Sequence, residues 1–198
     1  MAMSTFIIDE ASWQISLAAG SLCCADRREE PLISDLPIEL INKVTWKIPN
    51  ALCLVGSRQG DEWNGMTQSW VTQVSMEPVL IAIAVDKKAV TNRLVAASGV
   101  FTVNLWSAGD TRPFVKFSKP ATREGMALND RPIREGETGA PVFEEAVAYL
   151  ECRVRETVDV GTHSLFLGEV VAAGINDDEA EVAAMSHTRM KYGGVKRH

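Results

Sequence analysis

Apolar and polar positions along the chain fall into short blocks that are typical of β-strands. Residues 79–85 are apolar throughout, which indicates a core strand. Residues 51–57 and 101–105 are shorter apolar runs that predict two more core strands. Residues 89–98 instead repeat their apolar side chains at helical spacing and are followed by a glycine, so they predict a short helix.

Residues 64–75 are the most informative segment, because short polar side chains recur there at every second position. As one continuous strand, the segment would place Thr67, Ser69 and Ser75 on the same face. A row of hydroxyl groups beside a buried strand suits a flat ligand that is polar along one edge. The alternative is a half-exposed strand whose serines and threonines face water, as is common on sheet surfaces.

The second half of the chain predicts a hairpin and a long connection. Residues 146–160 and 164–173 are typical of strands joined by a tight turn, and residues 183–190 predict a last strand. Residues 118–141 are rich in Gly, Pro, Arg and Glu and predict a long connection. Connections of that length often act as lids or ligand-wrapping loops.

Many short strands and few helices indicate a mainly β architecture, a barrel or a sandwich with a few short flanking helices. At 198 residues the chain fits one domain, and 46% hydrophobic residues are sufficient for a sizeable core. Residues 1–36 differ in pattern from the rest and predict an N-terminal arm. The domain itself is predicted to span residues 37–198.

Charge and hydropathy exclude two classes of partner. A formal net charge of −6 and a pI near 5.2 argue against nucleic acid, which requires a basic face. Apolar stretches are all shorter than the roughly 18–20 residues needed to cross a bilayer. The sequence therefore predicts a soluble, cytoplasmic protein that binds neither nucleic acid nor membrane.

Cysteine and histidine usage agrees with that prediction. The four cysteines show no zinc-type spacing, and Cys23 and Cys24 are adjacent, which disfavours a bridge between them. Free thiols in a reducing compartment are expected, with a redox role for Cys23-Cys24 as the alternative. With only three histidines and no paired ligand spacing, no metal site is predicted.

Three segments resemble one known family in its own order along the chain. Residues 64–75, followed by Pro78 and the apolar strand, are similar to the signature of the flavin reductase-like, FMN-binding split-barrel family. Residues 98–105 resemble its turn into a Phe-x-Val-Asn strand, and residues 161–171 its Gly-Asp-His strand. Thr162 stands where the family usually has an acidic residue before the histidine, which puts in doubt any role for a carboxylate at that position.

The resemblance implies a Greek-key-like split barrel that binds FMN, or FAD, and takes NADH or NADPH as co-substrate. Its flavin-contacting residues would be those of the signature segment: Asn64, Thr67, Gln68, Ser69 and Ser75. The resemblance also implies that His163, the candidate catalytic residue, lies beside the nicotinamide or flavin. A solvent-exposed turn histidine is the alternative.

Three further residues have two interpretations each. Thr91, at the start of the predicted helix, could bind an anion together with helix amides, or could be a plain N-cap. Lys119 could neutralise a phosphate or be a solvated lysine. Trp70 could act in the signature segment that it belongs to, or could be a core or dimer-interface aromatic, since its face is opposite the hydroxyl groups.

The implied activity is hydride transfer from NAD(P)H to flavin in a homodimer. Reduced flavin would then serve a further acceptor, such as a partner monooxygenase or a ferric chelate. The alternative function is an FMN-binding electron carrier or regulatory module without NAD(P)H turnover of its own. The sequence lacks a Gly-x-Gly-x-x-Gly motif, so a Rossmann phosphate site is excluded.

Overall fold

The computed structural model describes residues 36–191 and 193–195. The predicted arm, residues 1–36, therefore lies outside the described residues except for its last residue. The helices are α1 (Ile38–Thr45), α2 (Val90–Ser98) and α3 (Arg112–Lys116). The strands are β1 (Cys53–Gln59), β2 (Glu62–Gln68), β3 (Val71–Met76), β4 (Val79–Asp86), β5 (Val100–Leu105), β6 (Arg123–Glu124), β7 (Ala127–Leu128), β8 (Arg131–Glu135), β9 (Pro141–Phe143), β10 (Ala148–Val160) and β11 (His163–Ile175).

Seven antiparallel strands form the main sheet, in the order β2-β1-β5-β10-β11-β4-β3. The two edge strands, β2 and β3, are separated in the chain by only Ser69 and Trp70. A flat sheet of seven strands would hold its edges roughly 29 Å apart, at about 4.8 Å per strand. Two residues cannot span that distance, so the sheet curls until its edges meet, as in a barrel.

At β1 the barrel wall separates two cores. Cys53 and Val55 of β1 face one core, while Leu54 of β1 and Leu52, just before the strand, face the other. The first core fills the barrel and includes Ile83, Phe101 and Phe166. The second core lies beneath the small sheet β6-β7-β8-β9 and α3, and contains Trp63, Trp106, Phe114, Phe117 and Phe143.

The predicted helix over residues 89–98 is confirmed as α2. It ends at Gly99, whose φ of 70° lies in the left-handed region that favours glycine, and the Gly99 amide donates to Val95 O. Buried Asn92 donates from Nδ2 to Val85 O at 3.0 Å, which attaches the first turn of α2 to the end of β4. Among the described helices, none is long and apolar enough to cross a membrane.

Two predictions of local structure were wrong. Residues 118–141 were expected to be an irregular connection, but they fold into the short strands β6, β7 and β8, reversed at Gly125 and at Asn129-Asp130, all with positive φ. Residues 183–190 were expected to be a strand, but they form a short 3-10 helix, Met185–His187. There Ala184 makes only an isolated bridge to Ala51.

Candidate functional site

The signature segment is two strands and not one, which corrects the continuous row of hydroxyl groups expected from the sequence. The chain leaves the sheet at Ser69 and Trp70 and enters the opposite edge at Val71. Thr67 and Ser75 therefore lie on opposite edge strands of the sheet, β2 and β3, and do not form one row. Ser75 pairs with Leu80 at the far end of β3, away from the break.

Thr67 uses its hydroxyl inside the fold. Its Oγ1 donates to Phe114 O at 2.7 Å, and its backbone amide donates to Phe117 O at 2.9 Å. Both bonds hold α3 and the residue after it against β2. Thr67 is 6% exposed, so its side chain faces the second core and not a surface.

Asn64 connects three parts of the chain beneath α2. Its Nδ2 donates to Thr91 Oγ1 at 2.9 Å, and its Oδ1 accepts from Ala121 N at 2.8 Å. Asn64 and Thr91 are both buried. Ala121 belongs to the loop that carries Lys119, whose side chain is exposed. The structure thus brings Asn64 and Thr91 together and positions the Lys119 loop next to them.

Gln68 and Ser69 lie at the break itself. Gln68 donates from Nε2 to Ala84 O at 2.7 Å, and its Oε1 accepts from Ser69 N at 3.1 Å, so its amide holds the edge of β2 against β4. Ser69 is only 4% exposed. Within the part of the chain that the structure describes, its hydroxyl has no hydrogen-bond partner, which leaves it as the polar atom of this corner available to a ligand.

Trp70 and His163 meet on the outer face of the barrel. Ile81, Ile83 and Val85 of β4 face the interior, so Ala84 and Asp86 point outward. Ala84 N donates to Trp70 O at 3.1 Å, which continues the β3–β4 register to Trp70. The ring centroids of Trp70 and His163 are 4.8 Å apart at an interplanar angle of 53°.

These contacts exclude one interpretation of Trp70, that it is a core residue. Its ring is half-buried and packs on His163, not in either core. His163 is the first residue of β11, after Gly161 with φ 71°, and it is half-buried too. Thr162 Oγ1 and His163 Nδ1 share a hydrogen bond of 2.8 Å. The imidazole is therefore held from two sides, by a hydroxyl and by an indole.

The start of α2 adjoins this corner. β4 ends at Asp86, and α2 begins four residues later at Val90, with Ala89 as its N-cap. No side chain of the described residues caps this helix, so Thr91 is not the N-cap that one interpretation proposed. Helix N-terminal amides carry partial positive charge and bind anions. Exposed Lys88 adds positive charge in the turn before the helix.

Cysteines and metal ligands add nothing to the site in the described residues. Burial raises the pKa of the Cys53 thiol to about 12, and the pKa of Cys152 is raised to about 12 by burial and by the neighbouring Glu151 charge. Both thiols stay protonated at neutral pH, which suits small core residues. The described residues contain no group of three or more His, Cys, Asp or Glu that could hold a metal ion. Cys23 and Cys24 lie outside them.

Sequence patterns did not identify Ala84 and Asp86 as members of the site. Ala84 lies between Trp70 and Leu165 in one cross-strand row, so its small side chain leaves space for a flat ring on the outer face. Asp86 faces His163 across the β4–β11 ladder. Ala84 lies within an apolar run and Asp86 directly follows it, so only the strand register reveals their neighbours.

A family model described as "Flavin reductase like domain" matches residues 46–196, and the chain belongs to this family. The resemblance found in the three sequence segments is thereby confirmed. The chain is also 38% identical over 117 residues to the NADH-dependent FAD reductase of Streptomyces globisporus, covering 58% of this chain and 64% of that protein. It is 31% identical over 154 residues to the Ferric-chelate reductase (NAD(P)H) of Archaeoglobus fulgidus, covering 77% and 91%.

A solved structure confirms the split-barrel fold. The NADH:FAD oxidoreductase of Streptomyces globisporus, in complex with NAD and FAD fragments, superimposes with a TM-score of 0.67 at 30% identity. The match covers 79% of this chain and 92% of that one. The chain spans only 25% and 27% of the length of relatives named as diflavin flavoproteins in Synechocystis and Nostoc.

Proposed function

We propose that the protein is an NAD(P)H:flavin oxidoreductase, in which a flavin binds at the corner formed by Ser69, Trp70 and His163. The observation that carries the proposal is the convergence of these residues with the start of α2 on the outer face of a flavin reductase-like barrel. The names of two relatives, an NADH-dependent FAD reductase and a ferric-chelate reductase, support the same activity.

The residues present fit a flavin mononucleotide moiety, which FMN and FAD share. A flavin presents a flat ring system, a polar edge and a phosphate. The row through Ala84 offers a flat outer surface, and the Ser69 hydroxyl, which lacks a partner in the described residues, offers one polar contact. The uncapped start of α2, with Lys88 beside it, offers an anion site for the phosphate.

When bound, the flavin supplies the hydride chemistry, accepting two electrons from the nicotinamide and passing them to a further acceptor. The residues of this chain orient the reactants and exclude water. Trp70 and His163 form the aromatic wall beside which a nicotinamide would lie, and the hydrogen bond from Thr162 fixes the plane of the imidazole. The hydrogen bonds of Asn64, Thr91 and Gln68 support the site, because they hold β2 and α2 in position.

Equilibrium titration with FMN and with FAD, followed by quenching of flavin fluorescence, tests whether the site binds flavin. The proposal requires saturable binding of one flavin per chain. A protein that binds neither flavin would contradict it.

Ser69 and Thr67 are expected to respond differently to loss of their hydroxyl groups. Ser69→Ala should weaken flavin binding by roughly three- to tenfold, the value of one net hydrogen bond, without changing the melting temperature. Thr67→Val should lower the free energy of unfolding by about 1–3 kcal/mol, because Phe114 O is left buried without its donor. Flavin titration and thermal unfolding of both variants measure these two effects. Equal flavin affinity in Ser69→Ala and in the parent would show that Ser69 does not contact the flavin.

We also propose that the protein is a homodimer. Helix α1 has no buried residue, and exposed apolar side chains continue along it and past its end: Leu40, Val44, Trp46 and Ile48. Exposed apolar surface of this kind marks an interaction site. Static light scattering at micromolar concentration should give about twice the chain mass of 21.6 kDa. A monomer mass across the concentration series would overturn this proposal and leave the flavin site untouched.

The final electron acceptor is proposed to be a ferric chelate or a partner monooxygenase. The name of the Archaeoglobus fulgidus relative supports the first. The cytoplasmic location stays a prediction.

A further inference from the structure

Thr162 leaves His163 without the neighbouring carboxylate that the resemblance implies. A threonine hydroxyl can accept or donate a hydrogen bond at Nδ1, but it carries no charge. An imidazole held only by neutral groups gains nothing on protonation. The environment of His163 beyond its own turn therefore decides whether an anionic partner is present.

The strand register places a carboxylate directly opposite His163. In the antiparallel ladder between β11 and β4, the partner of His163 is Asp86. Residues paired in this way project their side chains to the same face, with Cβ atoms about 4.5–5.5 Å apart. Asp86 is half-buried on the outer face, next to Ala84 and the Trp70–His163 pair. A carboxylate at this position reaches the imidazole without any change in the backbone.

The turn that follows β4 fixes the orientation of Asp86. Its Oδ1 accepts from Lys88 N at 2.9 Å, and its backbone oxygen accepts from Ala89 N at 2.9 Å. A carboxylate has two oxygens and about four lone pairs, so one bond to a backbone amide leaves capacity for an imidazole N–H. Lys87 N donates to Thr162 O at 3.1 Å, which joins this turn to the turn that carries His163.

The other charges around His163 come from the turn after β4 and from the end of β10. Lys87 pairs through Nζ with Asp159 of β10, and this lysine holds the pKa of the Asp159 carboxyl below its usual value. Lys88 is exposed on the turn before α2. Trp70, which directly precedes β3, also packs on the imidazole but is uncharged. Asp159 thus already has a cationic partner, whereas Asp86 is the carboxylate whose ladder position faces the imidazole.

We propose that Asp86 is the positioning residue of His163, supplying from across the sheet the carboxylate that Thr162 does not supply from the neighbouring position. Asp86 orients the ring towards Trp70 and stabilises its protonated form. The importance of this pair for turnover rests on the proposed function, but the pair itself exists in the flavin-free protein and can be measured there.

The test is the titration of the His163 ring resonances by NMR in flavin-free protein. Asp86→Asn removes the charge and keeps an oxygen that can accept from Lys88 N, so the turn is preserved. Removing an anion close to an imidazole disfavours its protonated form, so the His163 titration midpoint should fall by about one pH unit. Asp159→Asn is the matched control. It removes an equal charge from β10, at the residue next to Val160, which pairs with His163. This change should shift the midpoint by less than about 0.3 pH unit.

Asp86→Glu, which restores the charge, should return the midpoint most of the way to that of the parent. Equal midpoints in the parent and in Asp86→Asn, or an equal shift in the Asp159→Asn control, would overturn the proposal. Failure of the proposed function gives a different pattern, because a protein that never reduces flavin would still show the Asp86-dependent titration.

Discussion

Replacing His163 with alanine is expected to slow the reduction of bound flavin by NADH on the order of a hundredfold, while flavin affinity stays nearly unchanged. The imidazole is half-buried against Trp70 and tied to Thr162, so it forms a fixed wall of the site. Losing that wall lets the nicotinamide move relative to the flavin, and misplacement by ~1 Å can cost about a hundredfold in rate. Anaerobic stopped-flow reduction at saturating flavin measures this.

His187→Ala is the matched control for that experiment. His187 accepts from Ala184 N in the short 3-10 helix, apart from the corner at Trp70. Its loss should leave the reduction rate within about twofold of the parent. Equal rates of flavin reduction in the parent and in His163→Ala would show that His163 has no role beyond the turn, and would favour the electron-carrier alternative.

Asn64→Ala is expected to have the largest effect on stability among the site residues, lowering the free energy of unfolding by roughly 2–4 kcal/mol. The substitution leaves two groups unpaired, the buried Thr91 hydroxyl and the half-buried Ala121 amide. Each such group costs about 1–3 kcal/mol. Because Asn64 holds both the start of α2 and the Lys119 loop, flavin binding should weaken as well. Urea unfolding gives the free energy.

Asn50→Ala controls for the type of substitution. The Asn50 amide makes one exposed, local hydrogen bond to Ile48 O. Its removal should change the free energy of unfolding by less than about 1 kcal/mol. A similar small change in Asn64→Ala would show that Asn64 does not connect the strand, the helix and the loop as described.

The apolar runs predicted these strands well because their inward-facing side chains fill the barrel. Residues 79–85 and 101–105 became β4 and β5 nearly unchanged, and the odd-numbered positions from 81 to 85 and from 101 to 105 all belong to the interior core or pack against it. Residues 118–141 were misjudged because their strands have only two to five residues. Over so few residues, the pattern of apolar and polar side chains in a strand does not differ from that in a loop. The positive φ values of Asn129 and Asp130, which reverse the chain, are seen only in the structure.

The site was harder to predict than the strands, because its geometry depends on contacts between distant parts of the chain. Local alternation could not reveal the break at Ser69 and Trp70, which follows from closure of the barrel. That break turned Trp70 towards His163 and left Thr67 facing α3. The pairing of Asp86 with His163 likewise depends on a register between strands 77 residues apart in the chain.

Anaerobic titration of the flavin-loaded protein with NADH, followed at the flavin absorption band, shows whether the protein reduces its flavin. We expect about one NADH per flavin to bleach the flavin completely, since a hydride carries both electrons. Readmission of air should restore the oxidised spectrum. A flavin that binds one per chain but keeps its oxidised spectrum in excess NADH and in excess NADPH would contradict the claim that this protein is a reductase.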